Sequence, residues 1–249
     1  MKVSKNELTA ALKKSFEGLG FGYGDYLDAA NMVVWAQMHG LNGLEQLCRA
    51  LPFLDGPVYG CRALEAEASE LWIFNVEGAS ILLCASQIVD IACSVARRQS
   101  KICVRVDNCH NRMFVVERLA NAAQRGLTTM ACWSTRNTFK IAKFEAQTRF
   151  PKLTTFAINN HDASRAQSLF VMCAVQGFDL QTSLETVAPL GLTELAVGSE
   201  LSSEFFDNAY SEALDLGIEM PVSLWGTLDT LTARVLVEST ERSRAGAGE

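Results

Sequence analysis

Three histidines, His39, His110 and His161, carry the side chains of this chain that could move a proton near neutral pH. His39 closes an apolar helical stretch. There it could be a proton donor or simply a cation resting on the last carbonyls of a helix. His110 follows Asp107-Asn108-Cys109 at the end of an apolar run, a place where α/β sheets commonly meet ligands and where Asn and Asp also favour plain turns. His161-Asp162 follows Asn159-Asn160 in a similar position and reads equally as a solvated turn. The three spacings match no zinc template, so no metal site is expected.

Eight cysteines occur without a C-x-x-C pair, mostly inside apolar segments, which favours packed, reduced thiols over a disulfide framework. Cys109, beside His110, reads as a plain thiol on the same grounds, with reactivity as the alternative if a neighbouring cation lowers its pKa. Arg105, Arg112, Arg118, Arg136, Lys140 and Lys143 make the middle of the chain locally basic. They read either as a solvated face or as a pocket for a phosphate or carboxylate. No G-x-G-x-x-G, Walker or G-x-S-x-G motif is present, so a dinucleotide would not sit in a Rossmann or P-loop cradle.

The elements that must position these residues follow from periodicity and punctuation. Ser4 and Glu7 have capping-box spacing ahead of the stripe Leu8, Leu12, Phe16. Four glycines between 18 and 24 break that helix. Asp25 is expected to cap an Ala-rich second helix to about Met38, with Gly40 just beyond it. Asn42 is expected to cap a third, which Pro52, Gly56 and Pro57 end. Leu71 to Val76, Ile102 to Val106 and Thr128 to Trp133 read as strands, with helices from Ala79 to Arg98 and Met113 to Arg125 between them. Leu153 to Ile158 and Leu169 to Val175 read as buried strands, and Ser203 to Leu216 and Leu224 to Glu238 as helices. Ser183 to Val187 and Leu192 to Val197 fit either period.

The expected fold is therefore α/β, a helical N-terminal region over residues 1–57 followed by a mixed sheet flanked by helices over 58–249, forming one integrated unit. A net charge of −6 argues against nucleic acid as a partner. The lack of a long apolar run or a signal-peptide core argues against membrane insertion and export, so a cytoplasmic protein is expected.

Two stretches resemble the malate/L-lactate dehydrogenase-like oxidoreductases, which are not Rossmann enzymes. The first is the helical opening leading into Gln37-Met38-His39-Gly40, where that family has a Ser-His-Gly motif. The second is Ile102 to Asp107, then Asn108-Cys109-His110, the helix to Arg125, Gly126-Leu127 and the strand Thr128 to Trp133, similar to the family's strand, Asn-Ser-Asn-His-Phe-Gly turn, helix and strand. The ending from Leu236 to Arg244 is faintly similar to the family's closing stretch. The length and layout also resemble a bacterial family of unassigned function, which would make the chain a divergent, shortened branch.

The resemblance implies NAD or NADP as cofactor and a homodimer, with the Ala-rich opening helices suited to an isologous interface. It implies that His39 is the acid that protonates a substrate carbonyl or imine, and that Asn108, His110 and Arg112 line the cofactor side, the two imidazoles facing one hollow. The substrate would be a small anionic molecule: a 2-oxo or 2-hydroxy acid, or a cyclic imine. Three departures weigh against retained catalysis. Met38 stands where the family has Ser, Val34 where it has the Arg that anchors the substrate carboxylate, and Asn111-Arg112 where it has Phe-Gly. Arg112 could instead contact an anion. The alternative is a non-catalytic binding or regulatory subunit that keeps the fold.

Overall fold

The computed structural model describes residues 1–54, 63–67, 70–135, 137–158, 167–177 and 196–235. His161-Asp162, Arg136, Cys61, the ambiguous segment 183–187 and the tail after 235 lie outside them, as does the expected boundary near residue 57.

The chain opens with strand β1 (Lys2–Val3) and helix α1 (Lys5–Gly18). The capping box is present. Ser4 Oγ accepts from the Glu7 amide at 3.2 Å, and the Ser4 amide donates to Glu7 Oε2 at 2.7 Å. Helix α2 (Tyr23–Met38) starts two residues before Asp25, which falls in its first turn instead of capping it. Helix α3 (Gly43–Ala50) follows at once. Asn42 precedes α3 with a left-handed backbone (φ 52°), and its side chain makes no capping hydrogen bond. The Leu44 amide is met instead by Gln37 Oε1 at 3.0 Å, from the last turn of α2.

Strands β2 (Ala63–Glu67) and β3 (Leu71–Asn75) precede helix α4 (Ala85–Gln99) and strand β4 (Lys101–Asp107). Helix α5 (Val115–Gln124) leads to β5 (Thr128–Ser134), and β6 (Thr138–Phe144), β7 (Lys152–Ala157), β8 (Leu169–Ala174) and β9 (Ala196–Leu201) follow. Helix α6 (Ser203–Leu216), strand β10 (Ile218–Glu219) and helix α7 (Val222–Ala233) complete the described order. Strand β6 had no counterpart in the sequence reading. Its Lys140 and Lys143 break the apolar run that marks the other central strands.

Among the described residues, eight strands form one sheet in the order β2-β3-β4-β8-β5-β6-β7-β9, and β1 pairs with β10 in a second, two-stranded one. Only β3 and β4 pair in parallel, joined by the α4 crossover; the other neighbours are antiparallel. β4 and β5, consecutive in the pattern, are not neighbours, because β8 inserts between them with Val104 and Ala131 both opposite Val171.

Helices α4 and α5 cover one face of the sheet, and α2 lies over α5. α2 is thus an inner helix. Ala29, Ala30, Met32, Val33 and Ala36 are all buried within the chain. Its alanines allow close helix packing inside the subunit, so they do not form an exposed dimer face. The close approaches are backbone-limited. A Cβ on Gly18 would meet the Leu231 carbonyl oxygen of α7 at 2.0 Å. The opposite face of the sheet buries a smaller cluster that includes Met130, Cys132, Phe139 and Phe170.

Candidate active site

His39 sits one residue beyond α2, as the position that ends the helix, with only 4% of its surface exposed. Its imidazole is stacked between Trp35 (centroids 4.1 Å apart) and Tyr210 of α6 (5.1 Å), with Phe150 tilted against it at 5.4 Å. Nδ1 lies 2.6 Å from the Trp35 carbonyl oxygen. A carbonyl only accepts, so Nδ1 carries the hydrogen and, in the neutral ring, Nε2 holds the lone pair. Burial pushes the His39 pKa down to about 4. The Trp35 carbonyl opposes that shift, and the positive charges of Arg149 and Lys5 add to it. Near neutral pH the ring is therefore a proton acceptor at Nε2.

A cleft of about 230 Å³ opens beside His39. Its walls come from α2 (Asn31, Val34, Trp35, Met38), α5 (Glu117, Asn121, Gln124), α6 (Tyr210), the turn before β7 (Arg149) and the start of α1 (Lys5). Val34 and Met38 both face this cleft, so the two departures from the resembled motif fall inside the candidate site. Glu117, 5% exposed, is a buried carboxylate on the α5 wall. Asn121 Nδ2 donates to its Oε1 at 2.7 Å and Arg118 grips both its oxygens, while Arg118 Nη1 donates to Asp28 Oδ1 at 2.8 Å. The carboxylate is thus neutralised in place.

The turn after β4 is built differently. Asn108 is left-handed (φ 54°); its Nδ2 donates to Asn75 Oδ1 at 2.9 Å and its carbonyl accepts from Gly78 at 2.7 Å. His110 is bridged to Ser80 and its ring stacks on Phe53 at 4.1 Å. Burial lowers its pKa, with Arg112 adding to the effect. Arg112 Nη2 donates to the Ser134 carbonyl at 2.7 Å and Nη1 to Gln167 Oε1 at 3.1 Å, tying the turn to the end of β5. Asn111 Oδ1 is buried with no hydrogen-bond partner among the described residues. Cys109 is fully buried, as a packed thiol should be.

Of the two imidazoles, His39 lines the cleft, whereas the His110 ring rests on Phe53. His110 precedes the N-terminal end of α5. The His39 cleft is lined along that same helix by Glu117, Asn121 and Gln124, and His110 is not part of its lining. The basic middle is also largely self-paired. Arg105 meets Asp107, Arg118 meets Glu117 and Asp28, and Lys143 meets Glu145. The described cysteines are free thiols, and no group of His, Cys, Asp and Glu among the described residues could hold a metal. No described helix is long and apolar enough to cross a membrane. Sequence reasoning missed Glu117, Arg149, Tyr210 and Lys5. They lie far from His39 in the chain, and no spacing links them to it.

Residues 3–107 match a family described as "Protein of unknown function (DUF3726)". No curated protein matches the sequence. Among solved structures, the fold is similar to malate dehydrogenase from Pyrococcus horikoshii OT3, at 11% identity and TM-score 0.67 over 96% of this chain and 97% of that one. Sulfolactate dehydrogenase from Methanocaldococcus jannaschii gives 10% and 0.65 over 94% and 97%. Delta1-piperideine-2-carboxylate reductase from Pseudomonas syringae gives 10% and 0.60 over 93% and 99%. These likenesses bear out the α/β, malate/L-lactate dehydrogenase-like fold.

Proposed function

We propose that the chain is an NAD(P)-dependent oxidoreductase acting on a small 2-oxo or 2-hydroxy acid or a related cyclic imine, with His39 exchanging the proton. The observation that carries this reading is the fixed tautomer of His39 in a cleft of small-molecule size, with Nε2 unpartnered among the described residues. In the oxidative direction the substrate hydroxyl loses its proton to Nε2 as its carbon loses a hydride. In the reductive direction the imidazolium returns that proton to the nascent alkoxide. The nicotinamide cofactor, when bound, takes or supplies the hydride. Binding an anionic substrate would raise the His39 pKa from about 4 and ease the reductive step.

Asn108, His110 and Arg112 remain the proposed cofactor side. Asn111 Oδ1 in that turn, without a partner among the described residues, suits an N–H donor such as a carboxamide. Arg112, held by Ser134 and Gln167, would act on a phosphate through its charge more than through its fork. A homodimer remains part of the proposal, with an interface away from the inner helix α2.

A second reading is a binding or regulatory subunit without redox chemistry. The lining of the His39 cleft, which does not include His110, and the uncharged Val34–Met38 wall favour it. Titration of NADH and NADPH into the protein, read by energy transfer from tryptophan, divides the two. Binding, with turnover of 2-oxo acids or cyclic imines that His39→Gln abolishes, is the expected result. Absence of binding at millimolar cofactor leaves the second reading.

A further inference from the structure

We propose that Arg149, assisted by Lys5, anchors the carboxylate of the small acid in the His39 cleft. This rests on the reading of that cleft as the substrate site and adds the residue that would hold the substrate in it.

Arg149 lies on the cleft wall with its guanidinium carbon 4.9 Å from the centroid of Tyr210 and 4.9 Å from that of Phe150. The aromatic faces support the flat cation and leave its N–H edge for an acceptor. No carboxylate lies within ion-pair distance of it among the described residues, in contrast to Arg105, Arg118 and Lys143. Lys5 Nζ lies 5.6 Å from the same Tyr210 ring and has no such carboxylate either. The cleft thus holds two cations, a neutral imidazole and a carboxylate, Glu117, already gripped by Arg118 and Asn121. Asp207 bears on the same region, since its charge favours protonation of His39. The balance facing a ligand is positive. Arg149, Lys5 and His39 line the same cleft, so an anion bound to the two cations lies within reach of the imidazole.

Arg149 is also held in place. The turn that carries it is pinned to the end of α5, where the Gln147 amide donates to the Ala123 carbonyl at 2.8 Å, and it closes on itself through Thr148 to Glu145 at 3.1 Å. Phe150 then packs on Phe206 and His39, and Pro151 is buried ahead of β7. An arginine on this strap presents a fork to a carboxylate, while Val34 and Met38 on the α2 wall contribute only apolar contact. The cleft volume suits an acid of a few carbons.

The test is calorimetric titration of L-lactate, L-malate and pipecolate, with lactamide as the uncharged control, into wild type, Arg149→Met, Arg149→Lys and Lys5→Met. Arg149→Met should bind the acids at least about tenfold more weakly and lactamide unchanged, Arg149→Lys should recover part of the loss, and Lys5→Met should lose about threefold. Arg149 is exposed, so the melting temperature should be unchanged. Acid binding that is unaltered in Arg149→Met, or that falls equally for lactamide, overturns the anchor and leaves any turnover by His39 standing. Intact acid binding with no hydride transfer removes the redox reading and leaves the anchor. A wild type that binds none of the three acids overturns both.

Discussion

The Nδ1 of His39 lies 2.6 Å from the Trp35 carbonyl oxygen, and the Trp35 indole stacks on the same imidazole at 4.1 Å. One residue therefore fixes both the tautomer and the plane of the ring. A histidine ending a helix can lend its positive charge to the last carbonyls, but that needs the imidazolium. Here burial between aromatic rings removes the charge and leaves a hydrogen bond from a neutral ring. The end-of-helix position that the sequence revealed is real, and the electrostatic role first attached to it is replaced by an orienting one.

The pH dependence follows from that burial. The His39 pKa is depressed from 6.5 to about 4 in the folded chain. Above pH 6.5 the ring is neutral whether folded or unfolded. Between pH 6.5 and 4 the unfolded chain binds a proton that the folded chain refuses, so stability falls as the pH falls, and the effect levels off below about 4. The full loss from this group is at most about 3 kcal/mol. Urea unfolding from pH 7 to 4 should show a shallower decline for His39→Gln than for wild type. The His39 Cε1 proton should titrate in NMR well below pH 5.5. A midpoint at or above 6 would mean that the ring is not buried as a neutral group.

The Glu117–Arg118 pair should behave as a buried unit. Their side chains are 7% and 14% exposed. Arg118→Met leaves the Glu117 carboxylate with Asn121 alone, and the loss should be about 3 kcal/mol in urea unfolding. Replacing both, as Glu117→Leu with Arg118→Met, should recover much of it, because the buried charge is gone. If the single variant is as stable as wild type, water reaches Glu117 and the α5 wall of the cleft is wetter than its burial indicates.

The sequence made the fold legible wherever one physical signal decided the matter. The capping box at Ser4 and Glu7, the strands from Leu71, Ile102 and Thr128, and the helix Ser203–Leu216 all have periodic apolar residues and clear stops. It misjudged what depends on distant partners. Gln37 replaced Asn42 as the cap of α3, and β8 inserted between β4 and β5 from beyond residue 168. The site was legible in the same uneven way. His39, Val34 and Met38 share one helix end and were found together. Arg149 and Tyr210 reach them only through the β6–β7 turn and α6, and a local pattern cannot announce that meeting.

Arg112 offers a separate check on the turn after β4. Its guanidinium joins the turn to the Ser134 carbonyl at the end of β5 and to Gln167. Arg112→Met leaves that largely buried carbonyl without the cation, at a cost of about 1–2 kcal/mol. Thermal unfolding should record this whether or not a cofactor binds. The Kd for NADH and NADPH in the same variant carries the functional information: weakening beyond the stability loss keeps Arg112 on the cofactor side, and an unchanged Kd removes it.

Gly43 tests how His39 is held from behind. A Cβ at Gly43 would lie 2.5 Å from the Val33 carbonyl oxygen and 2.6 Å from the Gln37 amide nitrogen, both backbone atoms of α2. Neither can rotate aside, so Gly43→Ala must push α3 off the last turn of α2 and loosen the Gln37 cap on Leu44. Overpacking of this kind costs about 1–3 kcal/mol. Gly24, in the first turn of the same helix, meets nothing within 4 Å of its added Cβ, so Gly24→Ala should be neutral or stabilise by up to about 1 kcal/mol. The two alanines thus act on α2 with opposite sign. Only Gly43→Ala should also weaken lactate binding, because Trp35, Met38 and His39 ride on the turn it displaces. Equal urea midpoints for Gly43→Ala and wild type would show that α3 does not press on α2 as those distances require, and that the imidazole owes its position to the aromatic rings alone.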